Sequence, residues 1–433
     1  MSQEPVLFPK DFKWCVATSA HQIEGYNTQS DWWDWEQIPG KIKNGDKSGA
    51  ACDHWNRLAE DIDLLKNLNI KQYRFSIEWA KIEPNQDVWD SEAIAHYKKE
   101  LQILSQAQIE PIITLHHFTL PSWFKKQGGW EWSEAPVEFL KYVQFVYKAL
   151  GAPGQIWITF NEPMVHLVGG YIAGATPPGE KREISGIIRP LKGLLQSHAL
   201  AYHELHRLAD LVKRQIKVGF AHHLRIFDPN HSWNLLDTWA ANTLDQAFNW
   251  SFIEAIETGV LKLNIPFMFS VEEKIEKLQA TQDFMGVNYY TRDKVKFRFD
   301  NKQWFELVTE KNAPKTDMGW KIYPKGFYRI LKKIWEKFPS KSILITENGL
   351  ADAQDNQREK FIKDHLTALH QAIQEGVRVE NYCYWSFLDN FEWIDGFAPR
   401  FGLFEVDYTT QTRTLRQSGK VFSQIARDNG WRR

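Results

Sequence analysis

The stretch WITFNEPM, residues 157–164, decides how this chain is read. Trp157, Ile158, Thr159 and Phe160 form the aromatic and β-branched run that suits a buried strand. An amide, a carboxylate and a proline follow at once. Pro163 has no N–H to give to a ladder, so the strand ends by presenting Asn161 and Glu162. Taken alone, Glu162 reads as a salt-bridged strand end. The rest of the chain decides whether it is more than that.

Working outward, the run containing this stretch (155–162) is one of eight. The others are FKWCVAT (12–18), IKQYRFSI (70–77), EPIITLHH (110–117), IKVGFAHH (216–223), DFMGVNYY (283–290), KSILITEN (341–348) and NYCYWSF (381–387). Amphipathic helical stretches separate them. Between the first two, Leu58, Ile62, Leu65 and Leu68 recur at helical spacing, with Asp53 placed as an N-cap. Residues 91–108, 325–338 and 356–376 read the same way. Strands alternating with helices, without linker, repeat or low-complexity segment, predict a (β/α)8 TIM barrel. The chain, 1–433, is read as a single domain, with extended loops after the first, fourth and sixth runs over the C-terminal face. A doubly wound sheet is the alternative, but no GxGxxG follows any run.

Composition narrows the function. Hydrophobic content is 43%, charged content 25% and net charge −1, which offers no basic face for nucleic acid or anionic lipid. No run approaches a membrane span, and the N-terminal MSQEPVLFPKDF has neither the basic nor the apolar segment of a signal peptide, so a cytoplasmic location is expected. Cys15, Cys52 and Cys383 form no CxxC and no even framework, so disulfides are not expected to define the fold. There are 20 tryptophans, several beside polar residues in DWWDWEQIPG (31–40), GGWEWSE (128–134) and YWSFLDNFEW (384–393). Aromatic plates next to polar groups suit a pyranose, which has apolar C–H faces and a hydroxyl rim.

Barrel active sites lie at the C-terminal ends of strands. Here those ends are polar or aromatic, and two carry a carboxylate beside an asparagine: Glu162 and Glu347. Paired carboxylates across a pocket are the equipment of glycoside hydrolysis, one protonated and one ionised. Arg74, at another strand end, is placed to keep one of them charged. Metal catalysis competes through the two HH pairs, 116–117 and 222–223, but neighbouring strand residues face opposite ways, so each pair can send only one imidazole inward. There is no HExxH and no GxSxG.

TFNEP and ITENG, with DFMGVNYY, TDMGWKIYPKGF and WSFLDNFEW in this order, resemble glycoside hydrolase family 1, the β-glucosidase and β-galactosidase family, over essentially the whole chain. The resemblance implies a retaining exo-β-glycosidase on small β-glycosides or oligosaccharides, with no metal, no cofactor and no nucleic-acid or membrane partner. It leaves oligomeric state open. It makes Glu162 the acid/base and Glu347 the nucleophile. Asn161 would bind the sugar 2-hydroxyl. Gln22, His117 and Trp393 would bind hydroxyls on the far side of the ring, Glu392 would hold O4 and O6, and Trp385 would form the floor. Arg74 and Tyr290 would orient Glu347, and Asn288 would line the same pocket.

Four positions depart from the family pattern. Phe118 and Thr119 stand where Trp and Asp are common, Glu78 where a small residue is common, and Asn381 where Gly is frequent. Glu78 is read as part of a buried ion pair. The competing functions are a non-catalytic sugar-binding barrel and a 6-phospho-β-glycosidase. A negative Glu392 would repel a 6-phosphate, and Pro399 and Phe401 lack the side-chain donors that phosphate-specific relatives use.

Overall fold

Eight parallel strands close into a barrel in the computed structural model, which describes residues 5–151, 154–266, 269–299, 304–308, 310 and 313–432. Residues 1–4 of the N-terminal stretch read above lie outside these. The strands are β1 (Lys13–Ala17), β2 (Gln72–Ser76), β3 (Glu110–His116), β4 (Ile156–Asn161), β5 (Lys217–His223), β6 (Phe284–Tyr289), β7 (Ser342–Gly349) and β8 (Val379–Trp385). All eight predicted runs supply them. Each strand bonds its neighbour in the chain, and β8 closes on β1.

Helices α1 (His54–Asn67), α2 (Ser91–Gln106), α3 (Ala135–Ala149), α4 (Ile188–Leu211), α5 (Ser251–Thr258), α6 (Pro324–Lys337), α7 (Arg358–Gln374) and α8 (Gln417–Asp428) follow the strands in turn. Leu58, Ile62, Leu65 and Leu68 are buried, as their spacing requires. Asp53 precedes α1 but does not cap it through its side chain. Its φ is 51°, and its carboxylate instead takes Asn56 Nδ2 (2.7 Å) and Arg57 Nε (3.3 Å). Asp90 does cap α2, accepting from the N–H groups of Glu92 and Ala93.

Alternation along the strands builds two cores. Ile112, Ile158, Phe284 and Leu344 fill the barrel interior, while their chain neighbours Ile113, Trp157, Met285 and Ile343 join the layer shared with the helices. Cys15 and Cys383 belong to the interior set, are direct register partners on β1 and β8, and are joined as a disulfide across 368 residues. This corrects the expectation that no disulfide shapes the fold. Closure of the barrel makes the first and last strands neighbours, but spacing along the chain does not show the register that sets Cys15 directly opposite Cys383.

The long segments after β1, β4 and β6 rise over the C-terminal end as expected. The stretch after β5 was not foreseen. Its strand Ile226–Pro229 pairs with Arg292–Phe297 from the β6 segment. Of the four register irregularities recorded in the barrel, three fall at Ile158/Asn161, Val287/Asn288 and Ile345/Asn348, beside the two carboxylates. Such irregularities re-aim side chains, which is what converging groups from different strands require. Among the described residues, no helix is long and apolar enough to cross a membrane.

Candidate active site

A cavity of about 350 Å³ opens where the strands end. Its lining includes Glu162, Glu347, His117, Asn161, Tyr290, Trp385, Glu392 and Trp393. Arg74, Gln22 and Asn288, also expected at the site, are buried behind this lining and reach it through hydrogen bonds.

Glu162 leaves β4 with φ 47° and ψ 57°, in the left-handed region that non-glycine residues seldom occupy. Its N–H donates to Ala221 O on β5 (2.8 Å), and Pro163 starts the short helix Pro163–Leu167 behind it. The bend is therefore held from both sides, as strained positions at sites must be. On β7, Gly349 lets the chain pass against β8. A Cβ there would lie 1.7 Å from Trp385 O, which accounts for the glycine of ITENG.

The two carboxylates keep different company. Arg74 Nη1 donates to Glu347 Oε1 (2.5 Å) and the Tyr290 hydroxyl to Glu347 Oε2 (2.6 Å). Glu162 Oε1 takes Asn288 Nδ2 (2.8 Å) and stands 3.2 Å from His223 Nδ1. Burial pushes Glu347 up to about 7; the Arg74 guanidinium opposes this and the negative charge of Glu162 adds to it. Burial pushes Glu162 upward too, but His223, Asn288 and Arg74 outweigh burial and hold it below the usual range. Glu347 alone has a guanidinium in hydrogen-bond contact, whereas Glu162 is held by Asn288 and His223, so the two carboxyls stand in unlike surroundings.

One network fixes the neighbours. Arg74 Nη2 donates to Asn161 Oδ1 (2.6 Å), and Asn161 Nδ2 must then donate to His117 Nε2 (3.1 Å). Burial and Arg74 hold His117 neutral, so its remaining proton sits on Nδ1, which has no hydrogen-bond partner among the described residues. Each HH pair splits as strand geometry demands. His117 and His223 line the cavity, His116 packs against Trp130 and Phe160, and His222 bonds the carbonyls of Phe248 and Asn249.

Four expectations need correction. Asn288 does not line the cavity; it is fully buried and donates to Glu162 and Asn161. Gln22 Nε2 is engaged by Asn390 Oδ1 and Phe391 O (both 2.9 Å), with Glu392 at 3.3 Å, so it supports Glu392 from beneath. Glu392 itself is pushed up to about 8, by burial first and then by Asp395, Glu347 and Glu162, so at neutral pH it holds a proton and not the charge expected of it. Among the described residues Glu78 makes no ion pair. It sits 2.8 Å from Thr119 Oγ1, and burial pushes it up to about 8. Two apparent departures in the sequence are thus one feature in space: Glu78 supplies, across from Thr119, a carboxyl that residue 119 lacks.

The tryptophan-rich segments divide. Trp32, Trp385 and Trp393 reach the cavity, and His117 stacks near-parallel to both Trp385 and Trp393 (23° and 17°). Trp130 of GGWEWSE is core, packed on Phe124, Phe139 and Phe160. Met318 and Trp320, from TDMGWKIYPKGF, also line the cavity. The motif was visible in the sequence, but nothing local assigned it a wall.

Over residues 4–431 the chain matches the family described as Glycosyl hydrolase family 1. It is 35% identical to Beta-glucosidase A of Thermotoga maritima over 98% of each chain. It is 29% identical to a Beta-galactosidase of Pyrococcus woesei, again over 98% of each. Among solved structures, a beta-glycosidase from Pyrococcus horikoshii superposes with a TM-score of 0.91 at 39% identity, covering 99% of this chain and 97% of that one. The Beta-glucosidase from Thermotoga maritima in complex with castanospermine superposes with a TM-score of 0.89 at 34% identity, covering 99% and 100%.

Proposed function

The chain belongs to glycosyl hydrolase family 1, and from that premise we propose that it is a retaining exo-β-glycosidase. It removes terminal β-D-glucosyl residues, and β-D-galactosyl or β-D-fucosyl residues, with residues 1–433 acting as one catalytic unit. The observation that carries this reading is the unlike pair of carboxylates in one cavity, Glu347 clamped by Arg74 and Tyr290, and Glu162 held by Asn288 and His223.

In this reading Glu347 attacks the anomeric carbon while Glu162 gives its proton to the departing glycosidic oxygen. The C1–O bond breaks and a glycosyl ester forms on Glu347. Water then attacks the ester carbon-1, Glu162 takes the water proton, and the sugar leaves with its original configuration. Asn161, oriented by Arg74, is set to hold the 2-hydroxyl. Neutral His117 is set to donate from Nδ1, and protonated Glu392 can both donate to and accept from O4 and O6.

Neutral sugars are favoured over 6-phosphates because the wall supplies few donors, not because Glu392 repels. Pro399 and Phe401 have no donor side chain. Arg400 is turned to Asp389 (3.2 Å) and lies over the Tyr408 ring. Arg225 is the one lysine or arginine in the described lining, and it pairs with Asp293 (2.9 Å). A cytoplasmic setting belongs to the same proposal; the low cysteine content favours it and the Cys15–Cys383 disulfide counts against it. The redox state of Cys15 and Cys383 in cells reports on it.

Trapping tests the reading. A 2-deoxy-2-fluoro-β-glucoside with a good leaving group should inactivate the protein and add one sugar to the peptide containing Glu347. A label elsewhere, or hydrolysis with inverted configuration, overturns it.

A further inference from the structure

Glu162 is held by one oxygen only. Oε1 receives Asn288 Nδ2 at 2.8 Å and faces His223 Nδ1 at 3.2 Å. Oε2 makes no hydrogen bond with the described residues and is not among their buried unpartnered atoms, so it opens to the cavity. His223 is itself fixed. It is the last residue of β5, whose register sets it opposite Asn288 on β6, and its ring stacks on Tyr290 (5.8 Å, 22°) with Phe248 at its edge (81°). His223 Nε2 is buried without a partner among the described residues. A buried N–H without an acceptor is rarer and more costly than an unused lone pair, which favours the proton on Nδ1, where Glu162 accepts it.

Resting on the assignment of Glu162 as acid/base, we propose that His223 is a positioning residue which, with Asn288, occupies both lone pairs of Glu162 Oε1, so that the transferred proton is carried on and leaves from Oε2. Proton transfer to the glycosidic oxygen leaves a carboxylate, and the Nδ1–H bond strengthens as that charge forms. His223 thereby makes Glu162 a stronger acid. The other groups facing Glu162 are Arg74 from β2, Glu347 from β7, Tyr290 after β6 and Glu392 after β8. Those facing His223 are His222, Tyr290 and, two residues on, Arg225 paired with Asp293. None of these donates to Oε1.

The alkaline limb of kcat/KM reports loss of the proton from the free acid. On phenyl β-glucoside, which needs acid assistance, His223→Phe should move that limb up by about one pH unit, the size of a lost stabilising partner. Two units above the wild-type midpoint it would then retain about tenfold more of its own maximal rate than wild type does. His223→Asn, which keeps an N–H donor, should move the limb less and guards against loss of folding in the Phe variant. An unmoved limb in both folded variants overturns the proposal. Glu162→Ala separates this from failure of the parent assignment. If that variant slows phenyl and dinitrophenyl glucosides equally, Glu162 is not the acid at all. If it spares the dinitrophenyl substrate while the His223 limbs stay put, only the role of His223 is lost.

Discussion

Two sets of buried ionisable groups stand in this barrel, and one of them gathers its carboxylates around the cavity at the strand ends. At the mouth, Glu162, Glu347 and Glu392 converge with Arg74 and His223. Behind it, between the first two strands and helices α1 and α2, lies a second set. The Tyr97 hydroxyl donates to Glu24 (2.8 Å), Lys81 pairs with Glu24 (2.9 Å), and His54 sits between Asp61 (2.8 Å) and Glu100 (3.8 Å). Arg413 closes that set on Asp61 (2.8 Å), and Glu78 lies beside it on Thr119. Both sets hold shifted groups. Burial opposes the charge on His54, yet Asp61 and Glu100 push it up to about 10. Glu78 at about 8 is displaced as far as any mouth carboxyl. Displacement of a pKa therefore does not mark the site by itself. What separates the sets is partners. The second set turns its charged atoms on one another, Glu24 Oε2 to Lys81 and His54 Nε2 towards Glu100, whereas at the mouth Glu162 Oε2 and His117 Nδ1 make no hydrogen bond with the described residues.

The sharpest way to break this contrast is Glu162→Ala. Turnover of alkyl glucosides should fall about 10²–10⁴-fold, the usual worth of general acid catalysis. Dinitrophenyl glucoside should be far less affected, and added azide should restore turnover as the β-glycosyl azide. The melting temperature should stay near wild type. A large loss of stability would move Glu162 into the structural set.

Tyr290→Phe probes the clamp on Glu347. It deletes the 2.6 Å donor to Oε2, a hydrogen bond to a charged group, so kcat/KM should fall about 10–100-fold. The hydroxyl favours the ionised form, and burial, already the leading influence, then goes less opposed. Glu347 should titrate higher, carrying the acid limb of the pH profile upward. An acid limb that stays in place would mean that Arg74 alone sets the charge.

Glu78→Gln is the smallest effect and tests the other set. The folded carboxyl titrates near 8 against an ordinary 4.5. Its stabilising contribution is therefore complete below about 4.5 and is lost as pH rises through 8. Gln cannot titrate, so the variant should lose less stability than wild type between pH 5 and 9, by about 2–4 °C in Tm. Its kcat/KM should stay within about twofold of wild type, as expected of a substitution that removes no catalytic contact. Lost activity with an unchanged stability profile would place Glu78 in the catalytic set.

The barrel was legible because strands buried on both faces read as near-continuous apolar runs, so β4 and β7 announced themselves in WITF and SILIT. Glu162 and Glu347 were legible for a related reason: a carboxylate directly after such a run must sit at a strand end. Asp53 shows the limit of local reading, since it holds the cap position without the cap bond. Asn288 and Gln22 show another. Their residue types suit sugar hydroxyls, yet both amides are spent on protein partners.

What the sequence determined by itself is the order and kind of elements and the chemical types at the strand ends, because hydrophobic period, proline and glycine act over a few residues. What only the tertiary structure decided is which of those groups meet. Cys15 finds Cys383, Glu78 finds Thr119, and Glu162 finds Asn288 and His223, over separations from 41 to 368 residues. The charge on Glu392 was decided there as well. Whether a carboxyl keeps its proton depends on the water it loses and the charges it faces, and both are set by closure of the barrel.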